Sequence, residues 1–485
     1  MPGRPGGAPM GTRTGGDAPA VVVDRRDAPA DPPGAHRARG PAAAAGLVST
    51  ALCAAVGTGQ FQRGDAHAYD LGIFSQSAAS WAAGHLPTSG VLGGKALLGD
   101  HFSPLTAVFG AAWALWPDPR VLIWLQAVLL GLGTALVTRA AVRHLPPAGA
   151  AGVAAGALLA HGTLAAARFD VHEVALAVPF LALTATALLE HRHRAAALWA
   201  LPLLLVKEDL SATVLVVAAV VFARGRRRLG LLLAAAALAG LLLAVTTMAL
   251  VSPGHGLARL DSFGGAAVAG TSATRRVLLV VAVVVGGGVL WVRSPVALLA
   301  VPTLAWRLAS ETPTYTSSSL HYGAVLAPVA GVALVDVLRR LPRGRPAARL
   351  APWWCALCCA GTTLVVLPPS SLPPVLSAAG WRTGPRVADL RSAASVVPAG
   401  AAVAADNSSA AYLLGPAGGD HDVRGWSADQ PLRDLPEWVV LSTDRSSPGT
   451  PLARSRAWLA QVRQVPGVSV REVGATAVVH LPPVR

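Results

Sequence analysis

Long apolar blocks set the pattern of this chain, and short charged turns separate them. The blocks run roughly over 42–59, 119–138, 148–165, 173–189, 195–206, 209–223, 229–250, 276–292, 294–308, 321–338 and 351–368. Most are close to the ~20 residues that a helix needs to cross a bilayer. The pattern therefore predicts an α-helical polytopic membrane protein of about eleven spans. Residues 1–40 are rich in Gly, Pro, Ala, Asp and Arg, have little to bury, and read as a disordered tail. The first apolar block lacks a small-residue cleavage signature and reads as an anchor, not a cleaved signal peptide. The membrane domain is expected over 41–374, with a large first loop over 60–118.

Arginine orients this stack. With the tail in the cytoplasm and sides alternating, the even-numbered turns receive Arg139 and Arg143, Arg192 and Arg194, Arg224 with Arg226 to Arg228, Arg293, and Arg339, Arg340, Arg343, Arg345 and Arg349. Cationic turns stay on the cytoplasmic side, so the amino terminus is expected inside and the first loop outside. The triplet Lys207-Glu208-Asp209 interrupts the stretch 195–222. Three ionised groups at mid-bilayer would cost on the order of 8–10 kcal/mol. A hairpin with the triplet at the outer surface avoids that cost but leaves 195–206 short for a span. Residues 102–116 would break the alternation if they crossed. They are expected to lie in the outer interface, where Trp113 and Trp116 suit the headgroup region.

After Pro374 the pattern changes. Val387–Val396 reads as an amphipathic helix, Ala401–Ala405 and Trp438–Ser442 as strands, 452–463 as a helix, and 468–472 with 476–480 as a hairpin. A small α/β domain is expected over 378–485, extracytoplasmic by parity. Asp406-Asn407 at a strand end reads as an Asx turn, with a binding site as the alternative.

Composition supports this picture. The chain has 485 residues, 53% hydrophobic and only 13% charged, against roughly 25% charged in soluble domains. The net charge of +15 does not point to nucleic acid, because most of the arginine sits between apolar blocks. It suits an anionic lipid surface, so membrane lipids are the expected surroundings. Cys53, Cys355, Cys358 and Cys359 all lie in apolar blocks and give no disulfide framework. Gly286-Gly287-Gly288 inside a block reads as close helix packing.

The polar residues with chemical potential all fall on the outer side. The first loop carries Asp65, His67, Tyr69, Asp70, Lys95, Asp100 and His101. The next outer turns carry Arg168, Asp170, His172 and Glu173, then Lys207, Glu208 and Asp209. Later ones carry His255, Arg259 and Asp261, then Arg307, Glu311, Tyr315, His321 and Tyr322. Short turns have little structural need of mixed charges, and ionisable groups at membrane depth point to function. No P-loop, G-x-S-x-G or zinc-protease helix is present.

Five pieces of this sequence carry a resemblance. They are Tyr69-Asp70-Leu71-Gly72-Ile73-Phe74 with Gln76, Gly99-Asp100-His101-Phe102-Ser103-Pro104, Phe169-Asp170-Val171-His172-Glu173, Val206-Lys207-Glu208-Asp209, and His321-Tyr322 with Pro328. In this order, over about 43–340, the chain resembles the bacterial integral membrane family called domain of unknown function 2079. That family is similar to the GT-C glycosyltransferases, multi-span enzymes that take a sugar from a polyprenyl-phosphate carrier. The resemblance implies an essential acid in the first outer loop, here Asp70, with 102–116 as a helix along the membrane. It makes Asp70 the general base on an acceptor hydroxyl, with a divalent metal at Asp70 left open and no cofactor required. Lys207, Arg168 and Arg307 would meet the carrier phosphate. Asp100, His172 and Glu173 would position sugar or acceptor, and Tyr69, His101, Asp170, Glu208, Asp209, His321 and Tyr322 complete the substrate-binding set. A lipid or solute transporter is the alternative, but it predicts internal repeats and midplane charges, and neither is evident. A sensor whose C-terminal domain binds a partner is the third reading. The sugar, the acceptor and the oligomeric state are not written in the sequence.

Overall fold

The computed structural model describes residues 35–252, 272–342, 346–367, 381–446 and 451–482, with the isolated positions 3 and 377. The expected outer positions His255, Arg259 and Asp261, and Arg343 and Arg345, lie outside the described residues.

Helix α1 (Ala35–Arg63) opens the chain and begins six residues inside the segment expected to be tail. Its 29 residues reach about 44 Å at 1.5 Å per residue, longer than a hydrocarbon core. The first loop folds into α2 (Ile73–Ala82), the paired strands β1 (Thr88–Ser89) and β2 (Lys95–Ala96), α3 (Leu97–Asp100) and α4 (Ala107–Leu115). The bundle follows as α5 (Pro119–His144), α6 (Pro147–Leu158), α7 (His161–Arg168), α8 (Ala177–Leu189), α9 (His193–Ala200), α10 (Leu210–Ala223), α11 (Arg227–Val251), α12 (Ala273–Gly286), α13 (Val301–Ala309), α14 (Leu326–Leu338) and α15 (Pro346–Val366). Six helical segments among the described residues are long and apolar enough to cross a membrane, and five shorter apolar ones accompany them. The protein is thus a multi-pass helical membrane protein.

Local chemistry explains the helix ends. Asp118 caps α5 by accepting from the Arg120 N–H at 2.9 Å, and Pro119 fills the first helical position, where no N–H is needed. The short segment before Lys207 continues α9 as a 3-10 stretch, Leu201–Leu205, around Pro202. Together they reach only about 22 Å. One expectation needs correction. Residues 276–292 do not form one helix, because α12 stops at Gly286 and a separate 3-10 turn spans Leu290–Arg293. Gly288 takes a φ of +87° there, a conformation open to glycine. A Cβ on Gly286 would collide with the His161 ring, so close packing is the role of that glycine.

Helix α4 has nine residues, too few to cross. Val108 and Leu115 stay exposed, but Trp113 is buried in the core and does not face the interface as expected.

The C-terminal domain comprises α16 (Pro385–Ala394), α17 (Leu452–Val462) and a five-stranded sheet of β3 (Ala402–Ala405), β4 (Asp422–Gly425), β5 (Trp438–Ser442), β6 (Ser469–Val473) and β7 (Thr476–His480). The strand order is β4-β3-β5-β7-β6. β3 pairs parallel with β4 and β5, and β7 pairs antiparallel with β5 and β6. Side chains alternate across a strand. Ala404, Val439, Leu441, Ala477 and Val479 pack with Trp458 and Leu459 of α17. Val403, Ala405, Val440 and Val478 point the other way, into one continuous core with Phe61 and Leu71 of the membrane domain. The C-terminal domain therefore lies on the face that carries the first loop. On the opposite face the arginine turns gather. Glu190 pairs with Arg143 at 2.8 Å, Arg224 donates to the Leu188 carbonyl at 2.6 Å, and Asp336 holds Arg339 and Arg340.

Candidate functional site

Four turns converge beneath the C-terminal domain. The first follows α1, where Ala68–Gly72 winds as a single π-turn carrying Asp70. The C-terminal domain fixes its main chain. Asn407 accepts from the Ala68 N–H through its carbonyl at 2.7 Å and from the Tyr69 N–H through Oδ1 at 2.8 Å. Tyr412 Oη accepts from the Ala66 N–H at 3.0 Å and donates to the Phe61 carbonyl at 3.1 Å. Asp406 and Asn407 are both buried at this contact. Asp406 accepts from the Ser442 N–H at 3.0 Å, and Asn407 clamps the acid-bearing loop.

The second turn joins α7 to α8. Asp170 sits at φ 47°, an unfavourable region for a residue other than glycine and a mark of functional turns. Its carboxylate accepts from the His67 N–H at 3.1 Å and the His67 ring at 2.9 Å, and from Gln60 at 3.3 Å. Burial pushes the Asp170 carboxyl up. Burial opposes a charge on His67 too, but the Asp170 carboxylate outweighs it and raises the imidazole. Gln126, buried on α5, donates to the Asp170 carbonyl and accepts from the His172 N–H at 2.9 Å.

That framework aims His172 at Asp70. His172 Nε2 lies 2.7 Å from Asp70 Oδ1, and Nδ1 lies 3.3 Å from Glu173 Oε2. Burial works against the imidazolium, yet Asp70 first and Glu173 second carry its pKa up to about 9. Phe169 stacks on the ring, and Phe74 meets it edge-on. The His321 ring lies parallel to it with centroids 3.3 Å apart.

The third turn supplies Lys207, whose Nζ lies 2.6 Å from Glu173 Oε1. Asp70, His172, Glu173 and Lys207 therefore alternate in sign along one contact chain. Burial would discharge Lys207, but Glu173 first and then Glu208 and Asp209 raise its pKa. Glu208 turns to the first loop, 2.7 Å from His101 Nδ1 and 3.1 Å from the Phe102 N–H. Against burial, the His101 charge draws its carboxyl down to about 2. Asp209 has a buried Oδ1 with no hydrogen-bond partner, and burial pushes it up to about 6.

The fourth turn precedes α14 and contributes His321 and Tyr322. Arg307 packs on the Tyr322 ring with 5.5 Å to its centroid and donates to the Tyr315 and Ser317 carbonyls at 2.8 and 2.9 Å. Some expected site residues stand apart. Arg168 is not at the Asp70–His172 contact but faces a neighbouring cavity with Arg63, Asp65 and His67. Tyr69 is half exposed and contributes its main chain, and Asp100 sits half-buried at the end of α3. Gln60 and Gln126 are not singled out by the sequence, and Asn407 is marked there only as part of a turn. For Gln126 a signal existed, since an amide inside an apolar block is costly without partners.

Chemically, this is a carboxylate held by an imidazole that Phe74, Phe169 and His321 pack around. Among the described residues no three His, Cys, Asp or Glu side chains are grouped to hold a metal ion. Comparison with known proteins agrees with the architecture. The family described as "Predicted membrane protein (DUF2079)" matches residues 65–259 and 268–458. No curated protein matches the chain. Its fold is similar to that of ArnT from Cupriavidus metallidurans, crystallised with undecaprenyl phosphate. The TM-score is 0.58 at 14% identity, over 89% of this chain and 97% of that one. At that identity the likeness is one of fold.

Proposed function

The chain belongs to the DUF2079 family of predicted membrane proteins, and from that premise we propose that it is a GT-C-type glycosyltransferase. Its donor is a polyprenyl-phosphate-linked sugar at the outer face of the cytoplasmic membrane. The first loop and C-terminal domain are extracytoplasmic, and the amino terminus is inside. The gathering of arginine turns on the opposite face supports this orientation.

The observation that carries the reading is the 2.7 Å contact between Asp70 and His172. Asp70 removes the proton from the acceptor hydroxyl as that oxygen attacks the anomeric carbon. The bond from that carbon to the phosphate oxygen breaks, and the carrier phosphate leaves with the electron pair. A base acts within hydrogen-bond reach of the proton it takes. His172 orients Asp70. Lys207 and Arg307 already have protein partners, so Arg168 is the cation free to meet the phosphate. Asp100, His101, His321 and Tyr322 border the sugar and acceptor.

The test is sugar transfer from a polyprenyl-phosphate-sugar donor by membranes holding equal amounts of wild type and Asp70→Asn. The amide keeps the shape and removes the basicity. Loss of roughly 10²–10⁴-fold is expected for a missing general base. An Asp70→Asn protein with the wild-type rate would rule the mechanism out.

A further inference from the structure

A cavity of about 320 Å³ lies between the first loop and the C-terminal domain, with His67 of the Asp70-bearing loop in its lining. Three arginines reach it from three parts of the chain: Arg63 at the end of α1, Arg168 at the end of α7, and Arg445 after β5. The facing acid is Asp65. It takes Arg63 Nε at 3.2 Å on one oxygen and Arg445 Nη1 at 2.7 Å on the other. Asp65 thus orients two guanidinium forks but satisfies only part of each. Arg63 Nη1 stays buried with no hydrogen-bond partner. Among the described residues Arg168 has neither a hydrogen bond nor an ion pair, although Asp65 and Asp170 act on it at longer range.

Asp444, 3.7 Å from Arg445 Nε, is also held by Arg386, so three guanidinium charges against the Asp65 carboxylate leave two positive charges on the walls. Unsatisfied planar donors at that charge match a phosphate dianion, which takes several N–H donors and carries about −1.5 to −2. A carboxylate ligand would leave the cavity positive. Ser408 adds a hydroxyl to the lining. His67 forms the wall toward Asp170, and the Asp70 charge also acts on it. A bound oxyanion would therefore sit on the His67 side of the Asp70-bearing loop.

We infer that this cavity is a phosphate-binding site shared by the membrane domain and the C-terminal domain, held by Arg63, Arg168 and Arg445. The source of the phosphate is either a lipid headgroup or a free phosphate. Only the first of these rests on the glycosyltransfer reading.

The experiment measures binding to the purified full-length protein in detergent, by calorimetry, with three probes: inorganic phosphate, a polyprenyl monophosphate and the uncharged polyprenol. Arg168→Gln is the principal variant, because it loses no bond within the protein. Arg445→Gln is the second, checked for an unchanged melting temperature. Each substitution should weaken phosphate binding about tenfold or more, as for a lost charged hydrogen bond. It should leave polyprenol binding unchanged. Loss for both phosphate probes assigns the site to phosphate in general. Loss for the lipid alone, with no inorganic phosphate bound, assigns it to a lipid headgroup. Equal phosphate binding by wild type and both variants, or no binding of either phosphate probe, overturns the inference. Arginine-dependent binding in a protein that transfers no sugar would keep the site and discard the glycosyltransfer reading.

Discussion

Asn407 Oδ1 of the C-terminal domain accepts the Tyr69 N–H at 2.8 Å, one residue before the carboxylate that contacts His172. The acid-bearing turn is therefore positioned from a distant part of the chain. Asn407→Ala removes this acceptor but keeps the carbonyl that holds the Ala68 N–H. A small misplacement of a reacting group costs up to about a hundredfold, so a fall of roughly tenfold to a hundredfold in transfer rate is expected. Donor affinity should hold. Rate assays at equal membrane abundance, with a donor-binding control, check this, and an unchanged rate would remove the positioning role.

His172 makes the site sensitive to pH in a defined direction. Its folded pKa, about 9, stands above the ordinary 6.5. Its charge therefore stabilises the folded state fully below pH 6.5, and that contribution is lost as pH rises through about 9. His172→Gln should lower the melting temperature at neutral pH, and the gap to wild type should narrow as the pH passes 9. A gap that is constant across this range would contradict the charge assignment.

Asp209 predicts the reverse. Its folded pKa is pushed from 3.8 to about 6, so its ionised form costs stability above pH 6, and the cost disappears as pH falls toward 3.8. Asp209→Asn is expected to raise the melting temperature at neutral pH. The gain should fade between these two values in a pH series of thermal melts. A loss of stability at neutral pH would show that the carboxylate is paid for by a partner.

Lys207 and Glu173 form a buried pair at 2.6 Å. Removing one member strands the other, at about 3–5 kcal/mol. Lys207→Met and Glu173→Gln should each lower stability and membrane yield strongly. The double variant should recover much of the loss, and additive losses in a double-mutant cycle would refute the coupling.

Orientation is testable by labelling. With Cys53, Cys355, Cys358 and Cys359 replaced, the exposed positions Ser446 and Arg192 lie on opposite faces. Ser446→Cys should react with an impermeant thiol reagent in intact cells. Arg192→Cys should react only after the membrane is opened. The inverse result would turn the protein over.

Much of the fold is legible because hydrophobicity acts locally. The apolar blocks, the Lys207 hairpin and strand β5 follow from residues that sit next to each other in sequence. Strand β4 is missed because Asp422–Gly425 is four residues long with one fully buried side chain, Val423, too short for a period to register. The break after Gly286 is hidden by flanking valines that keep the block apolar. For the site, sequence marks the right turns but not their partners. Lys207 reads as a phosphate ligand until Glu173 is seen across from it, a pairing 34 residues apart. Arg168 is grouped with Asp70 by side of the membrane, whereas its helix end directs it to the adjacent cavity. Asn407 gives no sign that it serves a loop 338 positions earlier, because that relation exists only after the chain has folded back.

The bond between Ala66 and Tyr412 closes a loop of 346 residues, and this sets an order on biogenesis. The turn carrying Asp70 leaves the ribosome early, but Asn407 and Tyr412 follow 338 and 346 residues after the backbone groups they hold. Until then the turn lacks its outer scaffold, and only His172 and its neighbours reach the carboxylate. A chain stalled before Asn407 would insert its helices and still lack both clamps on that turn.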